Sequence, residues 1–452
     1  MPRLATLLPL LAALLLPLPL ESAMARTADA TPPAPPAWLQ DLDARYDAAI
    51  RVAGLEDRAF QPEQWWDVAL PLATAGLGFA VEEVGRSVEG RPLRHVSWGE
   101  GKTRVLLWSQ MHGDESTASM ALADLFHYLG AFPDDPIVQR LRANTELHFL
   151  PVMNPDGAAR FQRRNAQGID INRDARRRAS PEGRALHDLR ERLKPAFGFN
   201  LHDQDVGTRA GDSGRGTAIA LLAPAYNAAR EVNASRGRAI EVAVVIRSVL
   251  EPYIAGHIAK WDDTFNPRAF GDLTQAAGVS TILIESGGIE GDVQKQRLRK
   301  LNFLALVGAL DAIASGSHAG LSHAPYDALP ENAAVWPDLL VSGGTLAIPG
   351  QPQARVDLLV EFQRPLLERG GTISDVGDLQ GRRARRSIDA TGLFIVPFAP
   401  PADAAGAGAT TPRKAFGPGT PAYFHLSRDP EGRDVVWTLA GDVDPEHPAP
   451  AR

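Results

Sequence analysis

The sequence of 452 residues contains no cysteine. This absence excludes disulfide bonds, metal sites built on thiolates and lipid attachment to a cysteine behind a leader segment. A metal ion in this protein would therefore be held by imidazole and carboxylate groups. The chain offers 11 histidines and 54 aspartates and glutamates for that purpose.

An excess of positive charge is also missing. Lys and Arg number 47 against 54 Asp and Glu, which gives a formal net charge of −7. A chain with this balance has no global basic field, so we do not expect it to bind nucleic acid. Two short basic stretches, residues 176–178 and the "GRRARR" of residues 381–386, are interpreted as solvated faces in preference to polyanion sites.

The N-terminus lacks an unbroken apolar run of the length that crosses a membrane. The run from Leu4 to Leu20 is interrupted by three prolines and is followed by Ala23-Met24-Ala25, a small-x-small pattern. These features are typical of a secretory signal peptide and disfavour a membrane anchor. We predict a signal peptide over residues 1–25, cleavage after Ala25, export to the periplasm or the medium, and no membrane association after cleavage.

The rest of the chain is predicted to fall into three parts. Residues 26–79 are interpreted as an N-terminal helical and linker segment. Residues 80–315 alternate short apolar runs with longer helical patterns, which is typical of an α/β protein whose largely buried central sheet is covered by helices on both faces. The helical patterns cover residues 116–131, 181–194, 225–250 and 292–314, and Ser180 and Pro181 predict the start of the second of them. In residues 316–452 short β-like runs are separated by Gly and Pro turns, which predicts a small β-rich C-terminal domain of unassigned role.

Chemically active side chains follow or end three of the apolar runs. The run 103–109 leads to His112 and Glu115, the run 197–202 ends at His202, and the run 280–286 contains Glu285. Ligands of open α/β sheets gather at the carboxyl ends of strands. Two His and one Glu with an open fourth position form a zinc ligand set suited to hydrolysis, although HxxE spacing alone is frequent by chance.

Several ordered motifs surround these residues. Between about residues 80 and 315 the chain carries "GRP", "HGDE", "NPDG", "RRNAQGIDINR", "FNLH" and "LIESGG". With these motifs it resembles the zinc carboxypeptidases of the carboxypeptidase A type, as a secreted bacterial member. The resemblance implies a mixed central sheet and one zinc ion per chain. It also implies His112, Glu115 and His202 as zinc ligands and Glu285 as general base on the zinc-activated water.

The same resemblance implies roles for four further residues. Arg163 matches the arginine that stabilises the oxyanion, with Arg164 as the less favoured choice. Asn172 and Arg173 match the pair that binds the terminal carboxylate of the substrate, a group that suits the bidentate fork of an arginine. Asp170 matches the acid that orients the first ligand histidine.

The chain departs from the family pattern in one region. The family has a Tyr about twenty residues before the general base, whereas "KWDDTFNPRAFGD" (260–272) has none. Phe265 lies near that place and has no hydroxyl to donate. Arg268 is the polar residue of this stretch that we predict to reach a substrate instead.

Three functions are compatible with these observations. The favoured one is a secreted zinc metallocarboxypeptidase acting on peptides. The second is a zinc amidase or deacylase acting on acyl amino acids or cell-wall peptides, and the Asn172–Arg173 pair favours a free carboxylate on the substrate in both cases. The third, a secreted binding protein without catalysis, is disfavoured because binding alone would not require Glu285. The sequence indicates no oligomeric state.

Overall fold

The computed structural model describes residues 34–74, 78–365, 369–399 and 416–440. The predicted signal peptide of residues 1–25 lies outside these ranges. Within them, no helix combines the length and the apolar character needed to span a bilayer.

The larger sheet is built between residues 79 and 286. Its part of the chain contains the strands β1 (Phe79–Arg86), β2 (Pro92–Trp98), β3 (Thr103–Ser109), β4 (Thr145–Leu150), β5 (Phe197–Asp203), β6 (Arg209–Ala210), β7 (Ile219–Leu222), β8 (Ile258–Lys260) and β9 (Ser280–Ser286). Eight of them form one sheet in the order β1-β2-β4-β3-β5-β9-β7-β8. The pairs β1–β2, β2–β4 and β9–β7 are antiparallel and the others are parallel, so the sheet is mixed.

Helices cover both faces of this sheet. They are α1 (Ala37–Arg45), α2 (Pro62–Thr74), α3 (Thr117–Ala131), α4 (Pro136–Asn144), α5 (Pro155–Ala159), α6 (Pro181–Leu193), α7 (Ala234–Ile254), α8 (Phe270–Ala276), α9 (Gln296–Ser315) and α10 (Ala324–Asp327). Successive side chains of a strand point to opposite faces. Val105 and Leu107 of β3 pack with α3, α7 and α9, whereas Leu106 and Trp108 pack with α6 and α8. The predicted α/β class is confirmed.

One predicted helix begins later than its sequence pattern indicates. The helical pattern covers residues 225–250, but α7 begins only at Ala234. The side chain of Asn233 accepts a hydrogen bond from the backbone N–H of Arg236 (2.9 Å) and caps the helix there. An Asn side chain competes for backbone donors and therefore stops a helix from extending further towards its N-terminus.

A second sheet follows in the C-terminal part of the chain. Its strands are β11 (Leu339–Leu346), β12 (Ala354–Arg364), β13 (Arg369–Gly377), β14 (Arg386–Asp389), β15 (Phe394–Pro397), β16 (Tyr423–Ser427) and β17 (Val435–Ala440). They run in the order β13-β12-β11-β15-β16-β17, with β14 paired to β11, around a hydrophobic cluster of their own. The extra β-rich part of the predicted fold class is therefore present. The short β10 (Asn332–Ala333) pairs with β6 and ties this part of the chain to the first.

A buried ion pair joins the N-terminal segment to the core. Arg299 of α9 donates to both carboxylate oxygens of Asp124 on α3 at 2.7 and 2.6 Å, and both side chains are fully buried. Tyr46 Oη (2.6 Å) and the backbone N–H of Val52 (2.8 Å) donate to the same carboxylate. Asp124 therefore fixes the chain before α2 to two core helices.

We expect Arg299→Met to lower the free energy of unfolding by about 3–5 kcal/mol, because it leaves the Asp124 carboxylate buried without its cation. Denaturant unfolding of the purified protein measures the change. Arg297→Met, an exposed position on the same helix, is the control and should stay within about 0.5 kcal/mol of the unmodified protein. Equal stability of all three proteins would contradict this role for the pair.

Candidate metal centre and substrate cleft

The candidate centre lies at the edge of the larger sheet where β3, β5 and β9 end. These strands are parallel neighbours, so their carboxyl ends meet along one edge. In the register of β5 and β9, His202 is directly opposite Glu285. His112 and Glu115 lie in the connection between β3 and α3, beside the end of β5.

The connection that carries His112 and Glu115 is held tightly against a neighbouring turn. A Cβ atom on Gly113 would come within 2.0 Å of the carbonyl carbon of Gly157, so only glycine allows this approach. The backbone N–H of Glu115 donates to the carbonyl of His112 (3.1 Å) and closes a turn. This turn presents both side chains to the end of β5.

His112, Glu115 and His202 converge on one point. Glu115 Oε1 lies 2.6 Å from His112 Nδ1, and Glu115 Oε2 lies 2.6 Å from His202 Nδ1. All three residues are buried, and one ligand atom from each lies within 4.8 Å of the others. No other group of this kind occurs in the described ranges. Two imidazole nitrogens and a carboxylate oxygen in this arrangement fit a three-ligand zinc site with an open position.

Asp170 and Arg163 orient the first histidine. Asp170 Oδ1 lies 3.1 Å from His112 Nε2, while Asp170 Oδ2 accepts from Nε and Nη2 of Arg163 at 3.1 and 3.0 Å. With Nε2 held by a carboxylate, Nδ1 of His112 is the nitrogen that faces Glu115. A carboxylate on the far ring nitrogen is the usual support of a metal-binding histidine.

The electrostatics of the centre favour the metal-binding forms of Glu115 and His202, whereas His112 is shifted the other way: although burial opposes it, the Glu115 and Asp170 carboxylates raise the pKa of His112. Although burial opposes it, His112 and His202 hold the pKa of Glu115 below its usual range. His112 and Arg163 likewise hold the pKa of Asp170 below its usual range against burial. Burial lowers the pKa of His202 and favours the neutral imidazole. Ionised carboxylates and neutral imidazoles are the forms that bind metal ions.

Glu285 lies beside the three ligands. It is buried, and burial together with the Glu115 and Asp203 carboxylates raises its pKa well above the usual range. A cation held by Glu115 would act in the opposite direction, since an opposite charge nearby favours the ionised form of a carboxyl group. The protonation state of Glu285 is therefore tied to occupation of the candidate metal site.

A cleft of about 790 Å³ opens over this centre, lined by His112, Glu115 and Glu285 among other residues. Asn172 and Arg173 also line it. Asn172 Oδ1 accepts from the backbone N–H of Phe270 (3.0 Å), which fixes the amide, and Arg173 Nη1 donates to the Asn172 carbonyl (2.8 Å). The structure thus brings the candidate carboxylate-binding pair into the same cleft as two of the candidate ligands, His112 and Glu115.

The remaining residues singled out in the sequence occupy different places. Arg163 reaches the centre and donates to Glu115 Oε1 (3.2 Å), whereas Arg164 donates to the Gly168 carbonyl on the exposed side of its loop. Phe265 lines the cleft with an apolar ring. Arg268 is exposed, lies outside this cleft beside Arg173, and donates to the Arg173 carbonyl (3.3 Å). A direct substrate contact of Arg268 stays a prediction.

The structure adds a buried charge cluster that sequence reasoning missed. Lys295 Nζ donates to Asp203 Oδ2 (2.9 Å) and to the Ser286 carbonyl (3.0 Å), and Arg58 Nη2 donates to the same Asp203 oxygen (3.2 Å). The backbone N–H of Asp203 in turn donates to Glu115 Oε2 (3.1 Å). In the sequence, only the position of Asp203 next to His202 pointed to this cluster, because Arg58 and Lys295 are distant from Asp203 along the chain.

The second sheet also contributes to the cleft. Phe362, Gln363 and Pro365, at the end of β12 and just after it, line the cleft that contains Glu285. Trp336, just before β11, stacks on the guanidinium of Arg209 at 4.4 Å from the ring centroid and donates its backbone N–H to the Gly207 carbonyl (3.1 Å). No sequence pattern indicated that the two sheets share a cavity wall.

Part of the chain is similar in sequence to a known protein family. Residues 79–202 match the family model of the zinc carboxypeptidases. Carboxypeptidase E of Caenorhabditis elegans is 37% identical over 113 residues, which are 20% of this chain and 24% of that protein. Human carboxypeptidase D is 30% identical over 209 residues, covering 34% of this chain and 15% of that protein.

Two further similarities are more distant. An uncharacterized protein of Zymomonas mobilis is 27% identical over 143 residues, covering 31% of this chain and 37% of that protein. The crystal structure of a metallo-carboxypeptidase from Burkholderia cenocepacia superposes with a TM-score of 0.46 at 18% identity, covering 57% of this chain and 70% of that one. The chain thus spans well under half the length of these three curated relatives.

Proposed function

We propose that this chain, which belongs to the zinc carboxypeptidase family through residues 79–202, is an exported metallocarboxypeptidase that removes the C-terminal residue of peptides. The observation that carries the proposal is the buried cluster of His112, Glu115 and His202, of which His112 and Glu115 line one cleft with Glu285. Export rests on the signal-peptide pattern of residues 1–25.

The chemistry follows from the positions of these groups. A zinc ion held by His112, Glu115 and His202 would supply Lewis acidity and would bring the pKa of a water molecule close to neutral pH. Glu285 takes the proton from the attacking water and passes it to the departing amine. Arg163 stabilises the charge that develops on the carbonyl oxygen, an effect worth about 3–4 kcal/mol for one donor.

Asn172 and Arg173 bind the terminal carboxylate of the substrate in this proposal. Asn172 is fixed by the backbone of Phe270, and Arg173 at the adjacent position lines the cleft. A guanidinium matches a carboxylate with two parallel hydrogen bonds. Binding the carboxylate there would place the last peptide bond, and no other, beside Glu285.

We expect amidation of the C-terminus of a peptide to reduce kcat/KM at least about tenfold, because it removes one partner of a charged pair worth about 2–5 kcal/mol. Parallel assays of the free and the amidated peptide measure the ratio. In Arg173→Ala this ratio should approach one, since the discriminating group is gone. Arg177→Ala, an exposed position four residues on, should keep the full ratio. Equal cleavage of both peptides by the unmodified protein would rule out carboxypeptidase action.

One observation favours a second candidate, an amidase or deacylase acting on acyl amino acids. Phe265 offers the cleft an apolar ring in the region where the family has a tyrosine hydroxyl, and such a wall suits an acyl chain as well as a peptide. Both candidates use the same groups and the same terminal carboxylate. A product screen with N-acyl amino acids and unblocked peptides separates them by which substrate is turned over with the higher kcat/KM.

A further inference from the structure

A second cavity, of about 540 Å³, lies between the two sheets. Its lining is strongly basic and includes Arg209, Arg297, Arg385, Arg386 and His257. Among the described residues that line it, the one acidic group is Glu290, which is exposed. Two of these arginines belong to the "GRRARR" stretch interpreted from sequence as a solvated face, and Arg385 is instead largely buried.

Arg209 is the unusual member of this lining. It is only 8% exposed, yet its Nε and Nη2 have no hydrogen-bond partner among the described residues. The ring of Trp336 covers its guanidinium at 4.4 Å from the centroid. Burial and the nearby Arg385 lower the pKa of Arg209, although a guanidinium stays protonated in proteins.

Among the described residues, no carboxylate forms an ion pair with Arg209. Asp338, whose charge raises the pKa of Arg209, accepts from Arg385 Nε (2.9 Å) and from the backbone N–H of Phe362 (2.7 Å). Asp338 is therefore already engaged by other donors. Removing a charge from water without a partner costs several kcal/mol, so buried charges in proteins are normally paired.

The geometry points to an anion as the missing partner: we propose that this cavity binds an oxyanion group, a carboxylate or a phosphate, at the guanidinium of Arg209. A planar guanidinium can donate two parallel hydrogen bonds to two oxygens of one such group. Trp336 covers one face of the guanidinium. Arg297, an exposed residue of the same lining, adds positive charge at the cavity wall.

This site is separate from the metal centre but adjoins the catalytic cleft. Val206 and Pro365 line both cavities. The anion has two possible sources, a free ion and an acidic group on a peptide that extends beyond the cleft. The first is represented by orthophosphate and the second by N-acetyl-aspartate amide, which has no free terminal carboxylate for the Asn172–Arg173 pair.

The test is a titration of the unmodified protein, Arg209→Gln and the control Arg86→Gln with each probe, at constant ionic strength set by sodium chloride. Calorimetry gives the dissociation constants and thermal unfolding gives Tm. Arg86 is exposed on β1 and pairs with Glu83 at the surface. Any binding of a probe at the metal centre is common to all three proteins, so the difference between them reports on the second cavity.

We expect at least one probe to bind the unmodified protein and Arg86→Gln at least about tenfold more tightly than Arg209→Gln, because two hydrogen bonds to a charged group are lost. That probe should also raise Tm in the first two proteins and not in Arg209→Gln. Without oxyanions Arg209→Gln should unfold at the same or a higher temperature than the unmodified protein, since an unpaired buried charge is gone. The probe that binds identifies the source of the anion.

Equal affinities and equal Tm shifts in all three proteins would overturn the proposal and leave Arg209 as a stacking partner of Trp336. If Arg209→Gln does not fold, Arg297→Glu replaces it, because this exposed position places a negative charge at the cavity wall. That variant should weaken binding of the same probe, and unchanged binding there would equally contradict the site.

Discussion

Glu285→Gln is expected to retain the metal ion and to lose about 100- to 10,000-fold in kcat, the range that positioned general acid–base groups contribute. The amide keeps the shape of the side chain but cannot take a proton from water at neutral pH. Substrate binding should change little, because Glu285 does not belong to the proposed carboxylate-binding pair. Steady-state kinetics on an unblocked peptide and zinc analysis of the same sample measure both effects.

Glu290→Gln is the matched control for this variant. Glu290 is an exposed residue that follows the same strand, so its replacement should leave kcat unchanged. A Glu285→Gln protein with the activity and pH dependence of the unmodified protein would remove Glu285 from the mechanism.

The second large effect concerns the metal. The unmodified protein is expected to carry about one zinc ion per chain, since two imidazoles and one carboxylate converge with an open position. His112→Ala and His202→Ala should each carry close to none and show no activity. Asp170→Ala should keep the ligands but bind zinc about 10- to 100-fold more weakly, because the ring of His112 loses its support.

Elemental analysis after dialysis against a chelator and readdition of zinc measures these occupancies. His187→Ala is the control, because His187 lies on α6 and bonds to Arg178 and Arg190 away from the centre. Full occupancy in both His112→Ala and His202→Ala would show that the ligands are wrongly assigned.

The elements that could be predicted from the sequence are those with a local cause. The runs 103–109 and 280–286 coincide with β3 and β9 because continuous apolar residues form buried strands. The helix from Pro181 follows from the Ser180 cap, whose hydroxyl accepts from the Gly183 N–H (3.1 Å). His112, Glu115, His202 and Glu285 were found together because the carboxyl ends of parallel strands share one edge.

The parts that could not be predicted depend on contacts between distant segments. Arg58 and Lys295 both donate to Asp203, although they are 145 and 92 residues away from it in the sequence. Hydrophobic periodicity and motif spacing do not predict contacts between such distant segments. The cation–π stacking of Arg209 on Trp336 connects two sheets that have separate hydrophobic cores. The hydrophobic pattern of either part of the sequence therefore does not predict this contact. The displacement of Arg268 from the cleft depends on how its turn packs against Arg173.

Mass spectrometry of the products is the decisive test of the proposed removal of single residues from the carboxyl end of a peptide. Zinc-loaded mature protein is incubated with an unblocked peptide of about ten residues and samples are taken over time. We expect a ladder of peptides shortened one residue at a time from the C-terminus, together with the free amino acids. Fragments from internal cleavage, or an intact peptide under conditions where an N-acyl amino acid is hydrolysed, would contradict it.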